Sequence, residues 1–120
     1  MANASLLRAV LTHVEDYPGQ FDTTTYGELR PSGDIAADIA GRALLLSGWT
    51  LAGDSAFRKG ARTLSGPADI EFEVQALLGL SDDELWDNGD LDNLFDLPAR
   101  GAVTRLRELA EQAEAAVANA

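Results

Sequence analysis

Apolar side chains recur at helical spacing near both ends of the chain. In the first segment the predicted helix ends before the turn pair Pro18-Gly19, and Asn3 or Ser5 can cap its start. Pro98 stands where the first residue of a long last helix is expected. The apolar residues that carry the two patterns are Leu6, Leu7, Val10, Leu11 and Val14, and then Val103, Leu106, Ala110, Ala113 and Val117.

The segment from Asp34 to Ser47 is apolar around more than half of a helical circumference, which is typical of the central helix of a domain. Within it, Ala37 and Gly41 form a flat strip that a neighbouring helix or loop can approach closely. Gly48 followed by Trp49 predicts a Schellman ending. Before this helix, residues 20–33 are rich in Thr, Gly and Pro and are expected to form a loop with at most a short extended piece at 24–26.

Residues 49–64 alternate in polarity at two places, and turn signals lie at Gly53-Asp54 and Lys59-Gly60. A minor β-hairpin and an irregular loop both fit this pattern. Pro67 then begins a third helix that Gly79 ends. Its apolar residues are Ile70, Phe72, Val74, Leu77 and Leu78, so the two carboxylates among them, Glu71 and Glu73, are expected on the solvent side.

The residues from Ser81 to Glu84 form a capping box, which predicts that a short helix starts directly after the third one. This helix is expected to turn Leu85 and Trp86 inward. Together the patterns predict a mainly α protein, a compact bundle of four or five helices with a minor β-hairpin around 49–64 left open. A length of 120 residues, 46% apolar and 24% charged, is typical of a single globular domain over residues 1–120.

The longest uncharged apolar-rich stretch, from Ala43 to Gly53, is far shorter than the about 20 residues that a membrane-spanning helix needs. The first residues also lack the apolar run of a signal peptide. We therefore expect a cytoplasmic protein without a membrane partner. The absence of cysteine excludes disulfides and thiolate metal ligands.

The net charge of −11 is concentrated in one third of the chain. From Pro67 to Ala99 there are acids and no base. Such a segment attracts basic partners and repels the phosphate backbone, so direct nucleic-acid binding is not expected. The acids of this segment are Asp69, Glu71, Glu73, Asp82, Asp83, Glu84, Asp87, Asp90, Asp92 and Asp96.

No residue pattern indicates a catalytic, cofactor or metal site. The acids around Asp87 lack the alternation of a calcium loop, because Gly89 and Leu91 occupy the alternate positions. His13 is the only histidine, and it flanks the apolar stripe of the first helix. The one basic cluster, Arg58 with Lys59 and Arg62, lacks the order of a phosphate loop and is expected to offer counter-charge to the acidic segment.

The order of several short segments resembles a group of small actinobacterial and actinophage proteins of unknown function. The segments are Leu11–Glu15 before Pro18, Ile39–Ala43 leading to Ser47–Trp49, and Leu77–Ser81 before Leu94-Phe95. Members of that group commonly show Cys-Gly-Thr and then Cys-x-Ala-Gly before the second helix, and Gly33 and Asp38 occupy those cysteine positions here. The resemblance implies a helical fold and no particular activity.

The leading hypothesis is a non-enzymatic interaction module whose acidic helices engage a basic protein, in a narrower version as a nucleic-acid mimic or a regulator. The expected partner-binding residues are Asp82, Asp83, Asp87, Asp90 and Asp92, with Trp86 as an aromatic anchor. One alternative is a small-ligand binder or enzyme that uses carboxylates with Arg58 or Arg62. Another is a self-associating structural protein, a homodimer joined through the last helix.

Overall fold

The first helix begins where the Asn3 side chain accepts a hydrogen bond from the Leu6 amide at 3.1 Å.

The protein is described here by a computed structural model that covers residues 2–86 and 94–119. The described part of the chain is 57% helical, counting two short 3-10 helices, and five α-helices stand beside two small antiparallel sheets. Helices dominate as predicted, but the fold is mixed α/β rather than a helical bundle. The helices are α1 (Ala4–Asp16), α2 (Ile39–Leu46), α3 (Pro67–Leu78), α4 (Asp82–Trp86) and α5 (Ala99–Ala118), and the strands are β1 (Glu28–Leu29), β2 (Ile35–Ala36), β3 (Thr50–Gly53), β4 (Ala56–Lys59) and β5 (Arg62–Leu64).

Helices α1 and α5 pack side by side and run antiparallel. Arg8 bonds to Glu114 at one end of the pair, and Arg107 bonds to Glu15 at the other. Between them, most of the predicted apolar residues of both helices are buried, among them Leu7, Leu11, Leu106, Ala110 and Ala113. Leu6 and Val103 are half-buried, and Val117, near the end of α5, is 54% exposed.

Helix α2 begins five residues later than the sequence predicted. Ile35 and Ala36 pair with Leu29 and Glu28 as a short β-ladder, so the chain is extended there and not helical. Asp38 then caps the helix by accepting a hydrogen bond from the Gly41 amide at 2.8 Å. The apolar composition of Ile35 and Ala36 suits a buried strand as well as a helix, which is why periodicity alone misplaced the start.

The end of α2 has the predicted Schellman geometry. Gly48 adopts a left-handed φ of 93°, and the Trp49 amide donates to the Leu44 carbonyl at 3.0 Å. Trp49 is buried. The chain then forms an antiparallel meander, β3-β4-β5, with Phe57 of β4 buried in the core. Residues 49–64 therefore hold three strands, and both predicted turns lie between them.

Helix α3 is bounded by Pro67 and Gly79 as predicted, but it is rotated differently from the expectation. Ile70, Val74 and Leu78 face the core, whereas Phe72 is 76% exposed. The apolar residues of α3 are too evenly distributed to define one face, and burying position 70 with 74 and 78 leaves position 72 on the opposite side.

Candidate functional site

The start of α4 is fastened to the end of α3. The predicted capping box is present, because the Glu84 amide donates to the Ser81 hydroxyl at 3.2 Å and the Ser81 amide donates to the Glu84 carboxylate at 3.0 Å. The Gln75 side-chain amide of α3 donates to Asp82 at 2.8 Å and to the Leu80 carbonyl at 3.2 Å. These bonds fix the position of the α4 acids relative to the outer face of α3.

Five exposed side chains of α3 and α4 lie on either side of the Gln75 contact, and we call this set the acidic face: Asp69, Phe72, Asp82, Asp83 and Trp86. Residues three or four apart on a helix are neighbours, so Asp69 adjoins Phe72, and Trp86 adjoins both Asp82 and Asp83. Gln75 follows Phe72 by three residues and contacts Asp82, which joins the two helices. All five side chains of the acidic face are exposed, Phe72 most of all among large apolar residues.

Trp86 does not turn inward as the sequence predicted. Leu85 takes the buried position of this short helix, and the next residue lies about 100° further round, where it is 42% exposed. Of the predicted partner-binding residues, the structure brings together Asp82, Asp83 and Trp86. The other three, Asp87, Asp90 and Asp92, lie outside the described residues.

The prediction that Glu71 and Glu73 face solvent is wrong. The Tyr26 hydroxyl donates to Glu71, and Glu73 forms an ion pair with Arg62 at 2.8 Å while only 18% of its side chain is exposed. Both carboxylates therefore stabilise contacts within the fold. The solvent-facing charge of α3 comes from Asp69.

The basic cluster does not assemble into an anion site. Arg62 offers the predicted counter-charge, to Glu73, and its guanidinium carbon lies 5.1 Å from the centroid of the Trp49 ring. The Lys59 ammonium donates to the Ser47 carbonyl at 2.9 Å. Arg58 stands on the exposed side of β4. The structure thus spreads the three cations along the meander.

A polar pocket of about 320 Å³ lies between the 23–26 segment, the β3–β4 turn and the start of α3. Asp38, which is 4% exposed, contributes the carboxylate of the lining, and Pro67 and Phe95 contribute apolar surface. Among the described residues that line the pocket, none is basic. Its hydroxyl groups come from Thr23, Thr24, Thr25, Tyr26, Ser55 and Ser65.

The wall of this pocket depends on a close backbone approach that the sequence predicted at Gly41. The Tyr26 carbonyl rests on Gly41, where a Cβ would collide with it. The Asp38 amide donates to the Thr25 carbonyl at 3.0 Å, which holds the same segment against the start of α2. Thr25 and Ser55 hydroxyls are 3.3 Å apart across the pocket edge.

Sequence reasoning missed Arg42, a nearly buried arginine of α2. Its guanidinium donates to the Ile35 carbonyl at 2.8 Å and forms no ion pair with any described residue. Burial lowers the pKa of Arg42. Burial and the Arg42 charge also lower the pKa of half-buried His13, whose ring lies 4.9 Å from that of Tyr17. An arginine inside an apolar run was the available signal.

Within the described ranges, no group of three or more His, Asp or Glu side chains is arranged to hold a metal ion. In that same part of the chain, no helix is both long and apolar enough to cross a membrane.

Comparison with known proteins gives no match to a family model, to a curated protein or to a solved structure.

Proposed function

We propose that the protein is a non-enzymatic interaction module that binds a basic protein partner through the acidic face. The observation that carries this proposal is the exposure of Phe72, a large aromatic side chain at 76%, within a segment that has acids and no base. Exposed apolar residues rimmed by charge are typical of binding surfaces.

The two aromatic side chains supply the apolar part of the surface. Fully burying a side chain such as Phe72 contributes about 1.5–3 kcal/mol relative to leaving it in water. Trp86 at the other end of the surface adds an aromatic anchor of the kind that dominates many interfaces. Neither side chain is needed to fill the core, since Val74 and Leu85 take the neighbouring buried positions.

The exposed acids favour a partner with a positively charged surface. Asp69, Asp82 and Asp83 are exposed. The two arginines that bond to α3 and α4 have other partners: Arg62 pairs with Glu73, and Arg105 donates to the Glu84 carbonyl at 2.9 Å. A surface of this kind steers basic partners and is weakened by salt, because exposed charges are screened.

The narrower hypothesis, a nucleic-acid mimic, requires that charge alone carry recognition. The exposure of Phe72 favours a partner that offers an apolar pocket beside its basic residues. Competition with duplex DNA distinguishes the mimic from the more general interaction module. DNA displaces a mimic from its target, and it has no effect on a partner that does not bind DNA.

The test is affinity capture from a lysate of the native source with two baits of equal net charge. In the first, Asp69, Asp82 and Asp83 are changed to Asn. In the matched control, the exposed acids Glu28, Asp54 and Glu111 are changed to Gln, Asn and Gln.

We expect a stoichiometric basic protein that the wild type and the control bait retain, that the first bait loses, and that added salt releases. Capture that both variants reduce equally would indicate a general charge effect, and would contradict the assignment of the site to α3 and α4.

A further inference from the structure

We propose that the polar pocket beside Asp38 binds a neutral polyhydroxylated molecule of about the size of a monosaccharide. The pocket is distinct from the acidic face, so the proposal of a ligand here does not depend on the proposed binding of a basic protein. Its volume of about 320 Å³ is at the lower end of the range for small-molecule sites.

The lining is dominated by hydroxyl groups. A hydroxyl both donates and accepts, so such a lining matches a ligand that also carries donors and acceptors on the same atoms. Thr23 and Ser65 make no side-chain hydrogen bond to any other described residue, which leaves both hydroxyls for a ligand. Thr25 and Ser55, which bond to each other, hold the opposite edge.

The charges around the pocket disfavour an anion. Asp38 is almost fully buried in the lining, and Glu71 accepts a hydrogen bond from the hydroxyl of Tyr26, another lining residue. The described lining offers no cation to offset a second negative charge. The Asp38 carboxylate would therefore repel a carboxylate or phosphate placed in the pocket.

The start of α3 disfavours a cation. Ser65 and Pro67, at the start of this helix, line the pocket. The helix dipole adds a partial positive charge there. A neutral ligand with several hydroxyl groups is opposed neither by the Asp38 carboxylate nor by this helix end.

Two aromatic rings complete the match. Tyr26 and Phe95 border the pocket, and flat apolar surfaces of this kind can cover the C–H face of a ring-shaped polyol. With about a dozen non-hydrogen atoms, such a ligand is expected to bind with a Kd on the order of 1 mM.

The test is a titration of the ¹⁵N-labelled full chain followed by amide chemical shifts. The probes are D-glucose, D-galactose and myo-inositol, with D-glucuronate as the anionic counterpart and D-glucosamine as the cationic one. We expect at least one neutral probe to give saturable shifts at residues 23–26, Ser55 and Ser65, and the anion to bind more weakly.

Matched variants assign the contacts. Thr23→Val and Ser65→Ala should each weaken binding of that probe about fivefold by removing one hydrogen bond. Thr63→Val removes an exposed hydroxyl of β5 that does not line the pocket, and should change nothing.

Three results would overturn the proposal. The first is that none of the neutral probes shifts these amides. The second is that glucuronate or glucosamine saturates them at lower concentration than the neutral probes. The third is an affinity that Thr23→Val and Ser65→Ala leave unchanged while amide dispersion shows that both variants are folded.

Discussion

Helix α2 lies between two regions that are held together in different ways. On one side, the α1–α5 pair is joined by rows of apolar side chains, with ion pairs only at its ends. On the other side, the 20–37 segment is held by individual atoms: a carbonyl resting on Gly41, a cap at Asp38 and a guanidinium bond from Arg42. The first region depends on volume, which many residues can supply, whereas the second depends on particular groups. The polar pocket belongs to the second region.

Among the substitutions considered, we expect Gly41→Ala to lower the free energy of unfolding most, by about 4 kcal/mol. The added methyl would meet the Tyr26 backbone carbonyl, and a backbone atom cannot move aside by changing a rotamer. Chemical denaturation measures the loss.

Gly101→Ala in α5 is the matched control. A Cβ at this exposed helical position meets nothing within 4 Å, so this variant should be more stable by about 0.5–1 kcal/mol. Equal effects of the two substitutions would mean that the 20–37 segment does not rest on α2.

The elements held by apolar packing were predictable from the sequence, whereas those held by specific polar contacts were largely not. The apolar spacing located α1 and the buried side of α5, because apolar residues that repeat at helical spacing identify both a helix and the side that it buries. The start of α2 was misplaced, since Ile35 and Ala36 suit a strand and a helix equally. The inward side of α3 was also mispredicted, because the partners of Glu71 and Glu73 are Tyr26 and Arg62, which are distant in sequence.

At the candidate sites, Asp82 and Asp83 were predictable from the charge pattern and the capping box. The polar pocket was not, because its hydroxyl groups come from three separate segments that only the fold brings together.

In the α1–α5 pair, Leu106→Ala should cost about 3 kcal/mol, through lost apolar burial and the cavity left behind. Leu106 is fully buried, whereas Val117 on the same helix is 54% exposed, so Val117→Ala should cost less than about 0.5 kcal/mol. Thermal or chemical unfolding checks both. A large loss in Val117→Ala would point to an interface that covers the end of α5, as the self-association hypothesis requires.

A double-mutant cycle measures how strongly one polar contact holds the 20–37 segment to α3. Tyr26→Phe removes the donor, and Glu71→Ala removes the acceptor, of the bond that joins the pocket wall to α3. We expect a coupling energy of about 1 kcal/mol, typical of a hydrogen bond in a contact of this kind. Unfolding free energies that simply add would show that the two side chains do not act together.

The smallest expected effect is a pH dependence at His13. Burial, reinforced by Arg42 and opposed by Asp16, lowers the pKa of His13 from its ordinary value of 6.5. The fold therefore disfavours the protonated ring, and the free energy of unfolding should fall as pH drops below about 6.5. His13→Gln should reduce this fall. Identical pH profiles of the two proteins between about pH 7.5 and pH 5 would contradict it.

The most direct test of the central claim compares Phe72→Ala with Leu29→Ala as baits in the capture experiment. Both side chains are large, apolar and exposed, at 76% and 63%, but only Phe72 lies on the acidic face, whereas Leu29 lies on β1. We expect both variants to keep wild-type stability and only Phe72→Ala to lose the basic partner. Retention of the partner by Phe72→Ala, or its equal loss from both baits, would contradict a binding site on α3 and α4.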